Sequence, residues 1–210
     1  MKPLLTWALV LTSLSAFPET KVGHIRGTVV DQEGNPVPAA TVYVMSQQAL
    51  DEITPRSVKS DGNGNFDFSQ GFELGSYKIC ARKIEDLYPD QSDEFYKDPK
   101  AEAAKADLTD DHLSANIAVS LGDKAAILQG RIIDAVSGKP ASAQLAFLDQ
   151  NGNGHVLYAN GKFRMLLPSG KDLSIMVVGI GPEEKSQMAV NPLRLDPGQE
   201  MQMDIPISKQ

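Results

Sequence analysis

The chain has a single cysteine, a single tryptophan and three histidines among its 210 residues, and each scarcity excludes something. With Cys80 alone, no intrachain disulfide can form. His24, His112 and His155 lie far apart, and none falls in an H-x-x-E, H-x-H or H-E-x-x-H pattern, so the zinc-hydrolase signatures are missing. Neither G-x-S-x-G, nor a P-loop, nor a G-x-G-x-x-G following a strand occurs, which removes the common signatures of nucleophile-elbow hydrolases and nucleotide binders. Basic residues are outnumbered, 20 Lys and Arg against 27 Asp and Glu, for a formal charge of −7. Nucleic acid as a partner requires a basic face, and that balance argues against one. An acidic surface equally disfavours docking on anionic lipid.

Long apolar runs are also missing, with one exception at the start. Lys2 followed by the apolar Leu4–Leu14 and the small residues of "SLSA" has the three-part form of a secretory leader, residues 1–16, cleaved after Ala16. The run is too short to anchor a mature chain across a bilayer. Phe17 stands where a lipoprotein would need cysteine. The expectation is a secreted or periplasmic protein with no transmembrane anchor once the leader is gone. Trp7 lies inside the leader and leaves with it.

What is present is alternation. "IRGTVVDQEGNPVPAATVYV", Ile25–Val44, returns as "LQGRIIDAVSGKPASAQLAF", Leu128–Phe147, at a constant offset without a gap. Gly27 matches Gly130, Asp31 matches Asp134, Asn35 matches Gly138, Val42 matches Leu145 and Val44 matches Phe147. Both copies alternate at period two, the pattern of half-buried strands. The matched glycine inside the first strand suits a bulge or a neighbour's close approach. Asp31 and Asp134 open turns, and the slot shared by Asn35 and Gly138 is expected to hold positive φ. Matched landmarks at a fixed period indicate duplication.

These residues resemble the carboxypeptidase regulatory-like domain, through G-x-V-x-D-x-x-G-x-P-V-x-x-A-x-V-x-V at Gly27–Val44. "SDGNGNFDF" (Ser60–Phe68), "LGSYKICA" (Leu74–Ala81) and the insert "LYPDQSDEFYKDPKAEAA" (Leu87–Ala104) are similar to later landmarks of that family, and "YANGKFRM" and "LPSGKDLSIMVV" supply counterparts in the second copy. The resemblance implies an all-β chain of two tandem transthyretin-like (Greek-key, prealbumin-like) β-sandwiches of an exported bacterial protein. The expected division is residues 24–121 for the first sandwich, 122–126 for a linker and 127–208 for the second. The family's zinc-peptidase partner is missing. Among enzymes on related sandwiches, intradiol dioxygenases need a two-Tyr, two-His iron site, and transthyretin-like hydrolases carry a terminal Y-R-G-S where this chain ends "DIPISKQ". Neither pattern is present, so the chain is read as a non-enzymatic binding or structural module with no cofactor. Its partner is an unspecified protein or glycan of the cell envelope.

Three local readings remain. The insert, about residues 83–111, is expected to carry a short helix from the Asp98 N-cap and Pro99 into the alanines that follow. Its aromatics Tyr88, Phe95 and Tyr96 are the candidate ligand-binding residues, as a carbohydrate platform or, more simply, as rings packed over the open end of the first sandwich. "DQNGNGHVLYAN" fits a calcium loop at Asp149, Asn151, Asn153 and Gly154, but Asn160 replaces the bidentate glutamate, so no metal site is assigned. In "YKICA", alternation turns Tyr77, Ile79 and Ala81 inward and leaves Cys80 on the other face with a structural role. "GIGPEEKSQMAVNP", 179–192, reads as a loop, and 193–207 as two strands around a turn at Asp196–Gly198.

Overall fold

Period two in the sequence becomes burial in the structure. In the computed structural model, which describes residues 21–46, 56–97, 103–178 and 186–207, strand β1 (His24–Val30) buries Ile25 and Val29 and turns His24 and Arg26 outward. β2 (Thr41–Ser46) buries Val42 and Val44, β3 (Arg56–Lys59) and β4 (Asn65–Asp67) follow, and β5 (Gly75–Arg82) turns Tyr77, Ile79 and Ala81 inward as alternation requires. β6 (Ala104–Leu108) and β7 (Ser114–Ser120) complete the first half. β1 lies between β4, antiparallel, and β7, parallel, while β3-β2-β5-β6 forms the facing sheet. Between them lies a core including Ile25, Val42, Ile79, Phe66 and Val119, with edge-to-face contacts running Phe66–Phe68–Phe72–Tyr77 at centroid separations of 6.0, 5.5 and 5.3 Å.

The second half pairs its strands in the same order. β8 (Ala126–Asp134) sits between β11 (Lys162–Leu167), antiparallel, and the parallel pieces β14 (Glu200–Gln202) and β15 (Ile205–Ile207). β9 (Ser142–Asp149) sits between β10 (Gly154–Asn160) and β12 (Leu173–Val178), and β13 (Gln187–Leu193) lines the far side of β12. A bend at Gly161, with Asn160 paired to Lys162, joins β10 to β11, so all eight strands form one folded sheet. A separate core gathers Leu128, Leu145, Phe147, Ile175 and Ile205, and also Phe95 from the first half.

The matched glycines are explained by close approach. A Cβ on Gly27 would lie 1.8 Å from the Ile117 carbonyl oxygen of β7, and one on Gly130 1.7 Å from that of Met203, between β14 and β15. Each parallel neighbour crosses the first strand where it has no side chain.

Three sequence expectations are corrected. Positive φ in the first copy belongs to Gly34 (84°), one residue before Asn35, whereas Gly138 (67°) has it as expected. In the first turn Asn35 instead donates its amide and side chain to Asp31, roles open to an ordinary backbone conformation. The expected helix begins in 98–102, outside the described residues, and its remainder is β6: Ala106 and Leu108 face the core, Lys105 and Asp107 face out, and five residues pair with β5. Tertiary pairing overrides the helix preference of a short alanine-containing stretch. The only helical turn among the described residues is a 3-10 turn at Ile84–Asp86. The loop read at 179–192 holds β13 in its described C-terminal part, and two register shifts against β12 had blurred its alternation. The leader, residues 1–16, lies outside the described residues, among which no helix is long and apolar enough to cross a membrane.

Candidate functional site

Residues 83–97 lack strand periodicity, and their polar side chains decide where they lie. The 3-10 turn Ile84–Asp86 closes on Leu87 in the left-handed region (φ 68°), and the amides of Lys83 and Tyr88 each donate to the other's carbonyl. This turns the chain back across the outer face of the β3-β2-β5-β6 sheet. There the Tyr43 hydroxyl donates to Asp90, whose carboxylate also accepts the Ser92 amide (2.9 Å), the Ser92 hydroxyl (2.7 Å) and Arg82 (3.0 Å). Gln91 accepts the Ala81 amide at 2.9 Å and donates to the Ser120 carbonyl at 2.7 Å, tying β5 to the end of β7. Cys80 lies buried beneath this cover.

Electrostatics follow from that packing. Burial, then the accepting Asp90, push the Tyr43 hydroxyl far above its ordinary range. Burial opposes ionisation of Asp90, but the Tyr43 and Ser92 hydroxyls, the Ser92 amide and Arg82 outweigh it and hold the carboxyl below its usual value. Burial raises the Cys80 thiol, the opposite of what a reactive cysteine needs.

Beyond Ser92 the segment reaches the second half. Asp93 accepts the Phe95 amide at 3.0 Å, and its other oxygen lies 2.8 Å from His155 Nε2. The Phe95 ring meets Tyr96 and His155 at 5.1 and 5.0 Å, and the Phe95 carbonyl accepts Lys171 at 3.2 Å. The Tyr96 hydroxyl donates to the Leu166 carbonyl at 2.9 Å, and burial, then Asp93, push it up to about 12.

The three candidate aromatics are thus divided. Tyr88 packs in the first core with Lys124 over its ring at 5.4 Å, Phe95 is 1% exposed in the second core, and half-buried Tyr96 borders a cleft. That cleft is two adjoining hollows of about 390 and 610 Å³ sharing Lys97, Gly170, Lys171 and Arg194. The first is bounded by Tyr96 and Pro168, the second by Asp149, Asn151 and Asn153. Lys97 pairs with Glu94 (3.2 Å) and Arg194 with Asp172 (3.3 Å), so both signs line the cavity and neither dominates. Such a surface suits a neutral polar ligand, met by hydrogen bonds and one aromatic edge. Sequence reasoning had not singled out Asp90, Gln91, Lys171 or Arg194, whose partners are remote in the chain or lack any motif.

The calcium-like loop has a plainer role. Asp149 accepts the amides of Asn151 (2.8 Å) and Asn153 (2.9 Å) and the Asn153 side chain (3.2 Å). Asp61 does the same with Asn63 and Asn65, and Asp31 with Asn35. D-x-x-G-N therefore occurs three times as one turn, each with its glycine in positive φ, a repetition already legible in the sequence. Burial alone would raise the Asp149 carboxyl, but the Asn153 side chain and the two amides hold it below its ordinary value. Among the described residues, no group of three or more His, Cys, Asp and Glu could hold a metal ion. Millimolar calcium is expected to leave the melting temperature unchanged. Saturation at a hundred times the dissociation constant would add about 2.7 kcal/mol, so a calcium-dependent rise abolished by Asp149→Ala would refute this reading.

No curated protein matches the chain. Similar solved structures include the Bacillus anthracis TIE protein (12% identity, TM-score 0.37, 89% of this chain and 34% of that one) and a streptococcal ancillary pilin (15%, 0.36, 89% and 63%). The shaft pilin SpaA of Lactobacillus rhamnosus GG is another (8%, 0.33, 88% and 98%). The chain thus spans about a third of the first and under two thirds of the second. Residues 24–85, from β1 into the 3-10 turn, match the family model of the carboxypeptidase regulatory-like domain.

Proposed function

We propose that the chain is an exported, non-enzymatic module of two tandem transthyretin-like sandwiches, residues 24–121 and 127–208, acting as a rigid binding or structural element at the cell envelope. The observation that carries this reading is Phe95: a side chain from the first half is a buried member of the second core. Two units sharing a core side chain move as one body, which suits a spacer or a presenting scaffold better than a hinged enzyme. The repeated strand order and the paired Gly27 and Gly130 support a duplicated origin. The test has two arms on protein from the native host. N-terminal sequencing is expected to begin after Ala16, and affinity capture from the envelope fraction is expected to recover a protein partner. A chain retained in the cytoplasm with Met1 in place would sink the export reading, and recovery of nothing above control would sink the binding one.

A second reading, carbohydrate binding, is favoured by the cleft between residues 89–97 and 168–172. Of Tyr88, Phe95 and Tyr96, it is Tyr96 that borders this cavity, beside polar groups of both signs. A glycan array separates the two readings: binding lost in Tyr96→Ala supports the second, and an array without signal rejects it.

A further inference from the structure

The dipeptide Asn-Gly occurs at Asn63, Asn151, Asn153 and Asn160. Its glycine nitrogen can attack the asparagine side chain, because glycine has no Cβ to stand in the way. The attack needs a side chain that is not held elsewhere, a glycine nitrogen within reach of solvent base, and a peptide unit free to rotate. At three of these positions the fold withholds at least one of those freedoms. Gly64 is buried, with its amide on the Asp61 carbonyl at 3.0 Å and its carbonyl accepting the Val29 amide at 2.8 Å. Gly161 is buried as well, its amide on the Ala141 carbonyl at 2.9 Å and its carbonyl accepting the Ile132 amide at 3.1 Å. The Asn160 side chain is held besides, by the Ser142 hydroxyl at 2.8 Å. Gly154 is exposed, but half-buried Asn153 is tied to the Asp149 carboxylate by its amide at 2.9 Å and its side chain at 3.2 Å.

Asn151–Gly152 is built differently. Both residues are exposed, and a Cβ on Gly152 would meet nothing within 4 Å. Asn151 gives its backbone amide to Asp149, while its side chain makes no hydrogen bond among the described residues. The Gly152 amide bonds to the Asp149 carbonyl at 3.1 Å, at a turn open to water.

We propose that Asn151 is a site of spontaneous deamidation, where the chain changes its own charge with age. The Gly152 nitrogen, its proton lost to solvent base, bonds to the Asn151 Cγ. The Cγ–Nδ2 bond breaks, and Nδ2 takes a proton from water and leaves as ammonia. Water then opens the succinimide at either carbonyl, the ring nitrogen regains a proton, and residue 151 becomes aspartate or isoaspartate. Nothing is oxidised or reduced. The product matters because Asn151 lines the second hollow of the cleft. There Lys97, Lys171 and Arg194 balance Glu94, Asp149 and Asp172, and a further carboxylate tips the hollow acidic.

Peptide mapping by mass spectrometry of the full chain, aged at mildly alkaline pH, tests it. The expected result is conversion of amide to carboxylate, with isoaspartate, several-fold faster at Asn151 than at Asn63, Asn153 or Asn160, fragment ions separating Asn151 from Asn153. In urea the four positions are expected to react at similar rates, since the fold then restrains none of them. Asn151→Gln is expected to remove the fast conversion and leave the melting temperature unchanged. Asn63, Asn153 or Asn160 reacting as fast as Asn151 in the folded chain would overturn the proposal. So would a folded chain that stays unmodified while the chain in urea reacts.

Discussion

Phe95→Ala is expected to destabilise the second half of the molecule by about 3–5 kcal/mol, the usual cost of deleting a buried phenylalanine ring. The ring is 1% exposed and belongs to a cluster with Leu128, Phe147 and Ile175. Its segment is fixed at both sides, by Asp93 against His155 and by Tyr96 against the Leu166 carbonyl, so the site cannot readily collapse. Hydrogen exchange should report the loss as faster exchange at β9 and β12, with β1 and β2 little changed. Urea unfolding should show a lower midpoint for the affected half. Wild-type stability in Phe95→Ala would mean that the two halves do not share a core. Faster exchange in β1 instead would mean that the segment serves only the first.

An alanine at Gly27 or Gly130 should be at least as damaging, for a different reason. Overpacking a core commonly costs about 1–3 kcal/mol because side chains move aside. Here the obstacle is backbone: the new Cβ would lie 1.8 Å from the Ile117 carbonyl oxygen or 1.7 Å from that of Met203. Relief means shifting β7 against its seven paired positions on β1, or displacing the turn between β14 and β15. We expect each substitution to lower stability by more than about 3 kcal/mol, at the upper end of overpacking costs. Two other glycines grade the comparison. Gly138 has open space but φ of 67°, so alanine there should cost about 1–2 kcal/mol. Gly62 has open space and no positive φ, and alanine should be near neutral. Urea denaturation of the four variants gives the order directly. If Gly27→Ala proved no worse than Gly62→Ala, the close crossing would be wrong.

Turns were readable where their chemistry is local. Asp31, Asp61 and Asp149 each bind amides within four residues, and the glycine each turn needs stands in the motif itself. The misassignment of positive φ to Asn35 came from aligning the two copies, since the second turn closes differently: Asp134 accepts the Val136 and Ser137 amides, and Gly138 supplies the left-handed residue. The helix expected after Asp98 failed for a non-local reason, because Ala104–Leu108 finds a waiting edge on β5.

The amino-acid sequence by itself determined the all-β class, the inward faces of β1, β2, β5 and β9, and the matched glycines. Alternation and missing side chains are properties of a residue and its immediate neighbours. Only the tertiary structure decided where the insert goes, and with it the cleft. The contacts that place it join residues 62, 70 and 76 positions apart: His155 to Asp93, Tyr96 to Leu166 and Lys171 to Phe95. No period or motif marks such partners. The segment settles where the second core accepts the Phe95 ring and the Leu166 carbonyl accepts the Tyr96 hydroxyl, both supplied by residues remote in the chain.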